Sequence, residues 1–99
     1  MSTHLISLEL DHAREAHAAG NAGQARVCAR RAAGWAIRPR SGFSGDAIKQ
    51  LKWLQGDVTA PEAVRAAALR LTTKVDTDHH LPFDNDPVED AQLIIAFTA

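Results

Sequence analysis

The chain has 99 residues with 45% hydrophobic content, enough for one domain with a thin core because alanine supplies much of its apolar share. It contains a single cysteine, which excludes an internal disulfide or cysteine-based metal cluster. A net charge of −1 conceals an asymmetry: residues 1–74 carry eleven Lys/Arg against six Asp/Glu, while residues 75–99 carry six Asp/Glu and no Lys or Arg.

Five segments have helix punctuation. Leu5, Leu8, His12, Ala16 and Ala19 recur at helical spacing, predicting a first helix from about Thr3 to Ala19 that stops at Gly20. Asn21, with Gln24 three residues on, is a capping-box start for a second helix running to about Ile37, before Pro39. Its predicted inner stripe is Ala25, Cys28, Ala32, Trp35 and Ala36, which makes Cys28 a small core residue rather than a nucleophile. Residues 38–44 read as a loop. Ser44 and Asp46 open a short third helix to about Gln55, with Ile48, Leu51 and Leu54 as its buried line. Thr59-Ala-Pro-Glu62 reads as a capping box for a fourth helix to about Lys74, with Val64, Ala67, Ala68, Leu71 and Val75 inward. After an irregular stretch, 76–85, the sequence Asp86-Pro-Val-Glu89 opens a fifth helix with Ala91, Ile94 and Ile95 inward.

No segment alternates for long enough to form a strand. The expected architecture is therefore all-α: a single domain over 1–99, an antiparallel helical bundle of four main helices plus one short helix. There is no apolar run long enough for a membrane span. His4, Glu9 and Asp11 stand where an export signal needs a basic start and an apolar stretch, so a cytoplasmic location is expected.

Arg26, Arg30, Arg31, Arg38 and Arg40 fall within fifteen residues that include no acid. The planar guanidinium fork suits phosphate, and Phe43 and Trp53 are candidate stacking surfaces, so this cluster is the candidate phosphate or nucleic-acid site. The competing reading is a solvated face whose arginines meet the acidic C-terminal segment, through Asp84, Asp86, Glu89 or Asp90, within the monomer or across a dimer. Asp76, Asp78, His79 and His80 form a His/acid-rich run, but adjacent histidines point apart and no His-x3-His pair supports them, so no metal is assigned. His12 and His17, five apart, do not share a face well and read as surface or half-buried residues. Neither a phosphate-binding glycine loop, a nucleophile elbow nor a CxxC pair is present, and neither a catalytic residue nor a cofactor is assigned.

The stretch His12–Ile37, HAREAHAAGNAGQARVCARRAAGWAI, resembles the opening helical pair of HEPN-type domains. There an Ala-rich helix ends in a Gly-Asn or Gly-Asp turn, and a second helix repeats Ala at core spacing. Ala68–Ala99 is similar to the ending of such domains, with an aromatic-Pro link and a capped last helix containing Ala-x2-Ile-Ile. His80-Leu81-Pro82 stands where many members have Arg-Tyr-Pro, so only Pro82 is retained. The resemblance implies a bundle that often dimerises or serves as an accessory partner, in systems linked to RNA, nucleotides or nucleotidyltransferases. Ribonuclease members carry Arg, four to six residues, then His; after Arg70 the corresponding positions, 75 to 77, hold Val, Asp and Thr, so cleavage chemistry does not carry over. Ala13, Gly20, Ala25, Ala32 and Pro39 also resemble the small-residue positions of a tetratricopeptide hairpin, which implies a peptide-binding adaptor, although nothing repeats at 34-residue spacing. The expected function is a non-catalytic HEPN-like module, dimeric or accessory. The alternatives are that adaptor or a degenerate ribonuclease with a composite site.

Overall fold

A computed structural model describes residues 2–74 and 81–99. Among them five helices and no strand occur: α1 (Ser2–Ala18), α2 (Ala22–Ser41), α3 (Ala47–Gln55), α4 (Glu62–Thr72) and α5 (Pro87–Thr98). The described part is all-helical and compact, with extents of 35 × 27 × 20 Å.

α2 is the central element and packs against α1, α3 and α5, while α4 joins α3 to α5. Small side chains make this possible. Ala25, Ala29, Ala32 and Ala33 are each fully buried on successive faces of α2, so neighbouring helices can approach from several sides. The sequence suggests one stripe on this helix; instead it is buried almost all round, and Trp35 is only half-buried. The core is thin, as the composition implies. Its largest fully buried side chains are Ile37, Leu51, Leu54, Leu71, Ile94, Gln50 and Cys28, and every described aromatic ring keeps some exposure.

Most helix ends follow the local chemistry. Gly20, with φ of 77°, turns the chain from α1 back onto α2, a conformation that costs glycine little. The Asn21 side chain accepts a hydrogen bond from the Gln24 backbone N–H at 3.1 Å. The Gln24 side chain does not complete the box; its amide reaches the Cys28 Sγ at 3.4 Å. Asp46 and Asp86 cap α3 and α5, accepting from the backbone N–H groups of Lys49 and Val88.

Four expectations are corrected. First, α2 continues through Pro39 and ends at Ser41, where Gly42, with φ of 78°, donates its N–H to the Arg38 carbonyl. Proline lacks only one donor, and in the last turn the helix keeps enough bonds to carry on. Second, α1 is rotated from its predicted stripe: Ala13 is its fully buried residue and Leu10 packs on the core, while Leu8 is 42% exposed. Third, Thr59 does not cap α4. Pro61 occupies the N-cap without a side-chain bond, and the Thr59 hydroxyl donates instead to Asp57 Oδ1 at 2.6 Å. α4 also stops at Thr72, and Val75 lies outside the described residues.

Fourth, Ile48 is 37% exposed, and Gln50 takes the third buried position of α3 beside Leu51 and Leu54. The Gln50 amide donates to the carbonyls of Phe43, at 2.8 Å, and Gly45, at 3.2 Å, and accepts from the Ser41 hydroxyl at 2.6 Å. One side chain thus satisfies the backbone of the α2–α3 connection from inside the fold. Gln50→Ala should cost roughly 2 kcal/mol, because two part-buried carbonyls lose their donor and the buried side chain leaves a gap. Urea denaturation checks this, and a loss below about 0.5 kcal/mol would mean that water replaces the amide.

Candidate phosphate-binding groove

The α2–α3 connection sets the site. Gly34 lies against the start of α3: a Cβ placed there would meet the Cα and Cβ of Ala47 at 2.9 Å. The two helices approach most closely where no side chain intervenes, at Gly34. Beside it lies a cavity of about 570 Å³, lined on α2 by Val27, Arg30, Arg31, Gly34, Trp35 and Arg38, and on α3 and its approach by residues 44–48 and Gln50. Arg31, Trp35 and Arg38 are four and three residues apart, so one helical face presents all three. A second cavity of about 410 Å³ is lined by Gly23, Arg26, Arg30, Ile48, Lys52, Thr72, Thr73 and Lys74. Arg30 and Ile48 border both.

The five clustered arginines do not form one face. Arg26 is 7% exposed and serves the fold: its Nη2 donates to the carbonyls of Arg70 at 3.1 Å, Leu71 at 3.3 Å and Thr73 at 2.8 Å. These are carbonyls at the end of α4, where a helix leaves acceptors unpaired and favours a cation. Its Nη1 is buried without a hydrogen-bond partner among the described residues. Burial pulls the Arg26 pKa below its usual value, as does the neighbouring Arg30 charge, with Asp90 acting in the opposite sense. Arg30 is half-buried and reaches the Leu71 carbonyl at 3.5 Å; its pKa is also lowered, by burial and then by Arg31.

Arg31 and Arg38 face the first cavity. Arg31 Nε lies 3.7 Å from Glu9 Oε2 of α1, a loose and exposed ion pair worth little. The Arg38 guanidinium sits over the Trp35 ring, 5.4 Å from its centroid. Arg40 belongs elsewhere. Its Nε donates to Asp57 Oδ2 at 3.1 Å and its Nη2 to the Thr59 hydroxyl at 2.8 Å, while its guanidinium lies 4.5 Å from the Phe97 ring centroid. The Thr59 hydroxyl and N–H, followed by Arg40, hold the Asp57 carboxyl below the usual carboxylate range, so this cluster stays ionised at neutral pH.

The acidic partners named by the competing reading are also placed. Among the described residues, none of the five arginines makes an ion pair with Asp84, Asp86, Glu89 or Asp90. Asp90 instead binds Arg70, which donates to it through Nε at 3.1 and 3.2 Å and through Nη2 at 2.8 Å. Asp86 lies 3.6 Å from His17 Nε2. His12 and His17 are exposed, and Cys28 is buried. The run Asp76, Asp78, His79 and His80 lies outside the described residues; among the described ones no group of three His, Cys, Asp or Glu is placed to hold a metal. Nor is any described helix long and apolar enough to cross a membrane.

Residues not expected at the site shape it. Trp35 is part of the groove wall rather than a core anchor, and Lys52 of α3 and Lys74 after α4 bring cations from other elements to the second cavity. Phe43 and Trp53, the expected stacking surfaces, line neither cavity. Asp46 stands at the rim, but its carboxylate is engaged by the Lys49 N–H. No protein-family model, curated protein or solved structure matches this chain.

Proposed function

We propose that this protein is a non-catalytic, HEPN-like helical module that binds a phosphate-bearing ligand in the groove between α2 and α3 and works as a homodimer or accessory partner. The observation that carries the reading is the wall on which Arg31, Trp35 and Arg38 follow one another beside Arg30, without an acid on that face of α2. Guanidinium forks supply paired donors for phosphate oxygens, and the Trp35–Arg38 pair supplies flat surfaces for a nucleobase. The assembly part comes from the resemblance and from the thin core, which a second chain would supplement.

The expected result is that labelled single-stranded RNA binds at low salt, and that Arg31→Glu and Arg38→Glu each weaken it by about tenfold, the loss of one charge-assisted contact. Fluorescence anisotropy measures this, with melting temperature as the control for folding; both side chains are clear of the core. Absence of binding by the wild type at low salt rejects the ligand. Static light scattering tests assembly: a stable dimer should bury at least about 1,000 Å² in total, and a monomer at high micromolar concentration rejects that part. No RNA cleavage is expected from either form.

A further inference from the structure

We infer that the two cavities form one continuous track, and that its ligand is a short single-stranded nucleic acid rather than a mononucleotide. The inference rests on the phosphate-binding reading above and specifies its ligand.

Continuity comes from Arg30 and Ile48, which border both cavities. Length comes from α2. Its lining residues run from Gly23 to Arg38, about 22 Å at 1.5 Å per residue, longer than a single nucleotide. Charge is distributed along that length instead of focused at one point. Arg38 and Arg31 stand in the first cavity, Arg30 at the junction, and Lys52 and Lys74 in the second. A terminal phosphate would use one or two of these cations; a phosphodiester backbone would meet them in succession.

The walls are not uniformly polar. Val27, Trp35 and Ile48 provide an apolar lining in the first cavity, and the Arg38 guanidinium already lies over the Trp35 ring. A base can add to that stack on its apolar faces while its phosphate remains with Arg31. An acidic peptide would satisfy the cations but leave these flat surfaces unused, so the combination favours nucleic acid. Arg26 does not enter the account as a ligand contact, because its guanidinium is buried at the end of α4.

The test compares a labelled hexaribonucleotide with AMP and hexaglutamate as competitors, for wild type, Arg31→Glu and Lys52→Glu. On this inference the salt dependence of hexaribonucleotide affinity has a log–log slope of about 2, for roughly three neutralised phosphates, and AMP, which has no condensed counterions to release, shows a shallower one. Lys52→Glu, an exposed change, weakens the hexaribonucleotide by about tenfold and leaves AMP unaffected, whereas Arg31→Glu weakens both. Equal affinities and slopes for AMP and the hexaribonucleotide, with no effect of Lys52→Glu, overturn the track while leaving the anion site intact. Hexaglutamate competing as well as unlabelled hexaribonucleotide overturns the nucleic-acid assignment. Binding of none of the three removes the underlying site as well.

Discussion

Asp90→Ala is expected to lower the free energy of unfolding by about 3 kcal/mol, near the lower end of what removing one partner of a buried ion pair costs. The Asp90 side chain is 5% exposed and receives three donor contacts from Arg70, which is itself 24% exposed. The pair ties α4 to α5 through side chains alone. Without Asp90, Arg70 loses its bidentate acceptor, and its partial exposure allows only some rehydration. Asp90 bonding accordingly raises the Arg70 pKa, with burial opposing it. Arg70→Ala should be at least as damaging, since it strands a carboxylate that is almost wholly buried. Urea denaturation of both variants measures this. A loss below about 1 kcal/mol for Asp90→Ala would mean that the interface relaxes and hydrates, and that the pair contributes like a surface bridge.

Arg26→Ala should also be strongly destabilising, by about 3 kcal/mol. A charged donor to backbone acceptors contributes about 1.5–3 kcal/mol, and one guanidinium serves three carbonyls here without the three contributions adding in full. Loss of its buried aliphatic stem adds to this. The effect should appear in the melting transition, and hydrogen exchange should rise first in the last turn of α4. This separates Arg26 from Arg31 and Arg38, whose replacement should leave melting nearly unchanged. A stable Arg26→Ala protein would show that α4 finds other donors for its terminal carbonyls.

Arg26 also shows where sequence reasoning stops. Its place among five arginines invites a phosphate assignment, yet it adjoins Ala25 and lies three residues before Ala29, both fully buried. A stripe through Ala25, Cys28 and Ala32 leaves Arg26 beside the core; its burial follows from α2 being covered on several sides. What the guanidinium would meet there was not legible, because Arg70, Leu71 and Thr73 are more than forty residues away. Asp90 carried a comparable signal: it lies four residues before buried Ile94 on the inner side of α5. Trp35 and Ile48 misled in the opposite direction. Helical spacing marks both as inward, but both side chains line the groove that lies beside the close contact of Gly34 with Ala47.

By itself, the sequence determined the five helices, the caps at Asn21, Asp46 and Asp86, the glycine turn at Gly20, and a core short of large side chains. These depend on neighbours within one or two helical turns, where 3.6-residue periodicity and capping chemistry act locally. Tertiary structure alone decided the division of the arginines: Arg26 to the end of α4, Arg40 to Asp57 and Thr59, and Arg31 and Arg38 to the groove. It also exchanged Ile48 for Gln50 at the buried position and gave Thr59 to Asp57 rather than to a helix end. The physical reason is that a long polar side chain is placed by whichever acceptors a distant element brings within reach, and chain-local spacing carries no record of them.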